Sequence, residues 1–211
     1  MTHQIFFIRH GKVSLPYKSH AEMPFKILYK LGSGQLNPSI DLAFTQNLVD
    51  NFVSTLPKSE NISVIASPSQ RCRDTAKLLS ETIDSQFGKK VSVTVSDALQ
   101  EVHFDLKKLY PEALAEEVID ISDLNFRVLS GMMTGTVETI DSAKARVKEV
   151  FSLIDTQPSG IVICVAHDFI LRVVQVAIKN NGTHNLLETK VNGYVQGFET
   201  DSDYQDFKII E

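Results

Sequence analysis

The sequence predicts an α/β protein, a three-layer α/β/α sandwich built around a mainly parallel central sheet. Short apolar runs at 5–8, 64–66, 91–95 and 161–166 are rich in Val, Ile and Phe, as strands buried on both faces should be. Between them lie segments with helical periodicity, and strands alternating with helices of that length favour a parallel sheet covered on both sides.

The first run, Ile5-Phe6-Phe7-Ile8, is cut short by Arg9-His10, which makes it too brief for a signal-peptide core or a membrane span. It reads as a buried strand of a cytoplasmic protein with no membrane partner. A helix follows at 41–56, where Leu48, Val49, Phe52, Val53 and Leu56 recur at three and four residues. The 64–66 strand runs into Ser67-Pro68-Ser69-Gln70-Arg71-Cys72-Arg73-Asp74-Thr75-Ala76, which opens a second helix. After the 91–95 strand, a third helix at 139–155 carries Ile140, Ala143, Val147, Val150, Phe151 and Ile154, with Thr139 as its N-cap. The 161–166 strand leads into a helix marked by Ile170, Val173, Val174 and Ala177. Residues 195–210 alternate loosely and read as one or two edge strands about the turn Asp201-Ser202-Asp203.

Two stretches break the alternation, at about 12–40 and 102–136. Each follows a candidate catalytic strand end, where loops carry ligands in open α/β sheets. We read them as substrate-facing insertions in a single domain spanning 1–211, since there is no repeat, low-complexity tract or linker. Phe25, Ile27, Leu28 and Tyr29 in the first insertion are read as a packed surface loop, the alternative being a cover for an apolar substrate, and Lys12 and Lys18 as positive charge near a pocket mouth.

The composition narrows the function classes. With 211 residues, 43% apolar and 22% charged, the chain is long enough for one sizeable core. Its 26 acidic and 21 basic residues leave a net charge of −5, which gives no general attraction to nucleic acid or anionic membranes. Cys72 and Cys164 are too few and too far apart for a disulfide framework or a metal motif, and read as buried free thiols. His3, His20 and His184 have no neighbour at metal-ligand spacing, so no metal and no other cofactor is expected.

Three strand ends carry the chemistry. Arg9-His10-Gly11 ends the first strand, Ser67 to Arg71 lies between a strand and a helix N-terminus that favours an anion, and Ala166-His167-Asp168 ends the last parallel strand. Arg, His, Arg and His at equivalent topological positions suit phosphoryl transfer. Its transition state spreads negative charge over three oxygens, which guanidinium forks bind in pairs, and a neutral imidazole can attack phosphorus and leave again.

These blocks resemble the histidine phosphatase superfamily, the phosphoglycerate-mutase-like proteins with an Arg-His-Gly motif. The likeness rests on Arg9-His10-Gly11, Ser-Pro-x-x-Arg-x-x-x-Thr-Ala from Ser67, Leu99-Gln100-Glu101 after the next strand, and a late strand ending in His167 with Arg172 five residues on. It implies that His10 is the phosphorylated nucleophile, that Arg9, Arg71 and His167 hold the phosphoryl group, and that Glu101 is the proton donor. Glu138-Thr139 with Arg146 resembles the family's Glu-Ser pair ahead of a helix, and Arg172 is read as support for the pocket.

Two departures shape the reading. Where glycolytic mutases carry Glu or Gln, then Ser or Thr, and a nearby Asn, this chain has Lys12-Val13-Ser14-Leu15-Pro16, which favours hydrolysis over mutase chemistry. Asp168 resembles the His-Asp pair of the acid-phosphatase branch and is the alternative proton donor; its other reading is a first-turn acid complementing a helix dipole. His103 and Asp105 stand close enough to Glu101 in sequence to touch a leaving group. The expectation is therefore a metal-independent phosphomonoesterase acting on a phosphorylated small molecule or phosphopeptide. The alternatives are a mutase-type phosphotransferase and a catalytically silent phosphate-binding or interaction module of the same fold. Oligomeric state is not read from the sequence, because an edge strand can pair or stay free.

Overall fold

A computed structural model describes residues 3–18, 20–57, 59, 61–178, 189, 193–204 and 207–210. Six strands form one sheet: β1 (His3–Arg9), β2 (Ile62–Ala66), β3 (Ser92–Val95), β4 (Gly160–Ala166), β5 (Gly197–Asp201) and β6 (Lys208–Ile210). Their order is β3-β2-β4-β1-β5-β6, with the first four parallel and β5 and β6 added antiparallel. Among the described residues seven α-helices accompany them: α1 (Phe25–Gly32), α2 (Leu42–Thr55), α3 (Gln70–Phe87), α4 (Leu106–Leu109), α5 (Leu124–Thr134), α6 (Ile140–Asp155) and α7 (Asp168–Ile178).

The pleat divides each central strand between two cores. Ile5 and Phe7 of β1, with Val162, Cys164 and Ala166 of β4, meet the buried faces of α5, α6 and α7. Phe6 and Ile8, with Ile161, Ile163 and Val165, meet α2 and α3 on the other side. A strand buried on both faces needs apolar residues at every position, which is why β1 and β4 read as unbroken apolar runs. The helix ends follow their capping chemistry. Asp41 accepts from Phe44 N at 3.1 Å to start α2, and Thr139 accepts from Ser142 N at 3.2 Å to start α6.

Four expectations need correction. The Val91 to Val95 run is not buried on both faces: β3 is the sheet's edge, and Val93 and Val95 are 44% and 50% exposed. Its β-branched residues reflect the extended backbone rather than a core position. The Phe25 to Tyr29 stretch is the start of helix α1, with Phe25 and Leu28 buried in the core below it. β5 is not an edge strand, since it pairs with β1 on one side and β6 on the other. Neither Lys12 nor Lys18 lines the pocket itself: the Lys12 ammonium sits 4.9 Å from the ring centroid of Phe44. Cys72 and Cys164 are buried free thiols as expected. Among the described residues no helix is long and apolar enough to cross a membrane, and His184 lies outside them.

Candidate active site

β1, β4 and β2 are adjacent and parallel, and their register aligns Arg9 with Ala166 and Ala66 with Val165. The residues that follow each strand therefore leave the sheet at one carboxyl edge, side by side. Backbone bonds carry the ladder one step further, from His10 N to Ala166 O and from Ser67 N to Val165 O, each 3.0 Å. His10 and His167 are thus held by strand ends rather than by free loops, which limits how far their rings can wander. Their ring centroids are 5.2 Å apart at an interplanar angle of 65°.

Arg71, on the first turn of α3, bridges the two rings. Its Nε donates to His10 Nε2 at 3.1 Å, and its Nη2 donates to His167 Nδ1 at 3.1 Å. Because a guanidinium only donates, both of those ring nitrogens carry lone pairs. On His10 the other nitrogen, Nδ1, is 2.7 Å from Gly11 O and must be the N–H that donates to it. That bond selects the tautomer whose Nε2 lone pair points into the site, as a nucleophile requires. His167 Nε2 in turn donates to Ser67 Oγ at 2.9 Å. Burial lowers the pKa of both rings well below the usual histidine value; for each, Arg71 is the next cause, with Arg9 adding to it. Both imidazoles are accordingly neutral at neutral pH.

The turn after β1 is locked from two sides. Gly11 N donates to Thr75 Oγ1 at 2.9 Å, and that hydroxyl donates to Arg71 O at 2.7 Å, tying the turn to the helix that carries Arg71. A Cβ on Gly11 would lie 2.3 Å from Thr45 Cγ2, so the glycine is demanded by the close approach of α2.

Glu101 reaches the same cavity on the segment that follows β3. A 3₁₀ turn at Asp97–Leu99 buries Leu99 completely and anchors that segment in the core. Glu101 Oε1 then accepts from Val102 N at 2.9 Å and from Ile170 N, in the first turn of α7, at 3.1 Å. Burial raises its pKa to about 7, with the Asp168 carboxylate adding to the rise against the pull of the two N–H bonds. A carboxylic acid poised near neutrality is suited to proton transfer in both directions. The segment is braced from outside by Arg146, whose Nη1 donates to Ala98 O and Gln100 O, each at 3.0 Å. Arg146 is itself held by a bidentate pair with Glu138, at 2.9 and 2.7 Å. The Glu138-Thr139-Arg146 pattern thus couples a helix cap to the position of Glu101.

Asp168 also borders the site, but its Oδ2 accepts from Arg172 Nε at 3.0 Å within a buried ion pair. This gives Arg172 its place: it anchors the first turn of α7, one residue after His167. His103 and Asp105 do not line the cavity. His103 pairs its backbone with Glu138, and Asp105 caps α4 by accepting from Lys107 N at 2.9 Å. Of the N–H groups that open α3, Gln70 N is taken by Asn37 Oδ1 at 2.9 Å.

Arg9, His10, Arg71, Glu101, His167 and Asp168 share one cavity of about 320 Å³. Two further lining residues have no sequence signal. Tyr194 lies beneath the Arg9 guanidinium, 4.8 Å from its ring centroid, and His20 comes from the first insertion. Burial lowers the His20 pKa, with Arg9 and Arg71 adding to the effect. Ser67 and Thr75 did have a signal, since both belong to the Ser-Pro-x-x-Arg-x-x-x-Thr-Ala block, but their roles show only in the geometry. Two guanidinium groups and two imidazoles around a space of this size can bind a tetrahedral dianion, present a lone pair to it and protonate what leaves.

Comparison with known proteins bears on the family and on the fold. The model of the histidine phosphatase superfamily (branch 1) matches residues 49–205. Among solved structures, the chain is similar to a mycobacterial glucosyl-3-phosphoglycerate phosphatase, with a TM-score of 0.63 and 18% identity over 99% of this chain and 97% of that one. It is also similar to YhfR of Bacillus stearothermophilus, with a TM-score of 0.65 and 15% identity over 98% and 95% of the two chains. A phosphoglycerate mutase from Bacillus anthracis gives a TM-score of 0.62 and 14% identity over 100% and 92%. No curated protein sequence matches the chain.

Proposed function

Because the chain belongs to the histidine phosphatase superfamily, branch 1, we propose that it is a metal-independent phosphomonoesterase working through a phosphohistidine on His10. The observation that carries this reading is the Arg71 bridge between two buried imidazoles, which leaves His10 neutral with its Nε2 lone pair directed at the phosphate-sized space. The substrate's phosphoryl oxygens take over the donors of Arg71 and Arg9, and once Arg71 turns to them His167 donates from Nδ1, in the tautomer whose Nε2 accepts from the Ser67 hydroxyl. His10 Nε2 attacks phosphorus in line, the P–O bond to the leaving group breaks, and Glu101 gives its proton to the departing oxygen. Water then attacks the phosphohistidine, Glu101 takes a proton from it, and inorganic phosphate leaves with His10 neutral again.

The other nucleophile near Arg71 is unsuited to the task. Burial pushes the Cys72 thiol up to about 12, so it stays protonated, and its sulfur faces Ala166 O and His167. Hydrolysis rather than mutase chemistry is supported by Lys12-Val13-Ser14 after the Arg-His-Gly turn and by the charges in the cavity. Arg9 and Arg71 are its only Lys or Arg among the described residues, enough for one dianion. A steady-state assay tests the reading: monoesters should release inorganic phosphate stoichiometrically, at a rate unchanged by a saturating chelator. Phosphate moved to a second position of the substrate without release, or a chelator that abolishes turnover, would overturn it.

A further inference from the structure

The cavity lining is polar and charged in part and apolar in the rest. Beyond the phosphate-binding groups, its wall is made by Leu28 and Leu31 of α1, Phe104 and Leu106 after Glu101, Leu124 of α5 and Phe169 of α7. Phe104 and Phe169 meet edge to face at 5.8 Å, which fixes an aromatic surface in the same lining as Glu101. Leu28 and Leu31 come from the first of the two segments outside the repeating β-α pattern and Phe104, Leu106 and Leu124 from the second, so both line the same cavity. The charges near it are already spoken for. Arg9 and Arg71 face the phosphoryl group, Asp168 is paired with Arg172, and Glu101 is a carboxyl that repels a second anion. Asn125 and His20 are exposed residues of the lining.

On the reading that this site hydrolyses phosphomonoesters, we infer that its substrates carry an apolar body, an alkyl chain or aromatic ring, rather than a second anionic group or a sugar. A ground-state hydrophobic contact retained in the transition state appears in kcat/KM. Each methylene buried in such a wall contributes roughly a fourfold increase, the rate equivalent of removing one CH₂ from water. A carboxylate or a row of hydroxyls placed there loses its water without gaining a partner.

The test is a series of ethyl, butyl and hexyl phosphate beside 3-phosphoglycerate and glycerol phosphate. From ethyl to hexyl, kcat/KM should rise by on the order of 10²-fold, with the two polar esters at least tenfold below hexyl phosphate. Gly32 marks the depth of the apolar end: a Cβ there would lie 3.4 Å from Phe104 Cε2 and 3.5 Å from Leu106 Cδ1. Gly32→Leu should therefore fill that end and cut the hexyl-to-ethyl ratio at least tenfold. Leu124→Arg, on a half-buried position, should shift preference toward 3-phosphoglycerate. Turnover that is flat along the alkyl series, or faster on the polar esters, overturns this inference and leaves the phosphatase reading standing. Absence of turnover on every ester overturns both.

Discussion

Replacing His10 by alanine should lower kcat/KM for any phosphomonoester by on the order of 10⁴-fold or more, as loss of a covalent nucleophile does elsewhere, while the protein stays folded. Neither of the two nucleophilic side chains packed around Arg71 is placed to take over. His167 turns Nδ1 to Arg71 and Nε2 to Ser67, and Cys72 is held as a buried thiol. The His10 ring makes one side-chain bond to its own turn, and that turn is secured independently through Gly11 N and Thr75. The expected cost in stability is therefore about 1–2 kcal/mol, a fall in Tm of roughly 5 °C for a chain of this size. His167→Ala should lose about 10²–10³-fold, the scale of one transition-state donor. Kinetics and thermal melts on the two variants separate these effects, and a His10→Ala enzyme within tenfold of the parent contradicts the mechanism.

Glu101→Gln should reduce kcat/KM for alkyl phosphates by about 10²–10⁴-fold, the range of general acid catalysis. Hydrolysis of an activated aryl phosphate, whose leaving group departs without a proton, should fall far less. The pH dependence follows from the sign of the shift. With its pKa raised to about 7, Glu101 is a competent acid below that pH and loses its proton above it, so wild-type kcat/KM should decline on the alkaline side of about 7. His10, shifted well below the ordinary histidine value, is neutral throughout this window and puts no limb there. The Gln variant should lack the alkaline limb. Stability moves in step: between 4.5 and about 7 the folded state binds more protons at Glu101 than the unfolded one, so stability falls as pH rises through this range. Above it Glu101→Gln should be no less stable than wild type. Asp168→Asn, which weakens the buried pair with Arg172, should act mainly on stability. Loss of turnover in that variant with an active Glu101→Gln would exchange the two roles.

Much of the site was legible because its parts are strand ends. Once β1, β2 and β4 are recognised as parallel strands, the residues after them must share an edge, and Arg9, His10, Arg71 and His167 follow. Glu101 was legible only through its Leu-x-Glu setting, since the bond from Ile170 N that draws it in spans distant parts of the chain. His20 and Tyr194 were not legible, because each arrives on a segment without periodicity and is placed by tertiary packing alone. Helix α1 was obscured for a similar reason: its first residue follows Pro24, no side chain caps it, and its apolar residues face the protein in only two turns. The exposure of β3 escaped because an edge strand and a central one draw on the same β-branched residues.

The central claim is that phosphate passes through His10, and rapid quenching tests it most directly. Enzyme mixed with a phosphoryl-labelled ester and denatured in alkali within one turnover should carry up to one acid-labile label per chain, recovered on the peptide containing His10 and absent from His10→Ala. A fully active enzyme that retains no label, or carries it on another residue, would contradict the account.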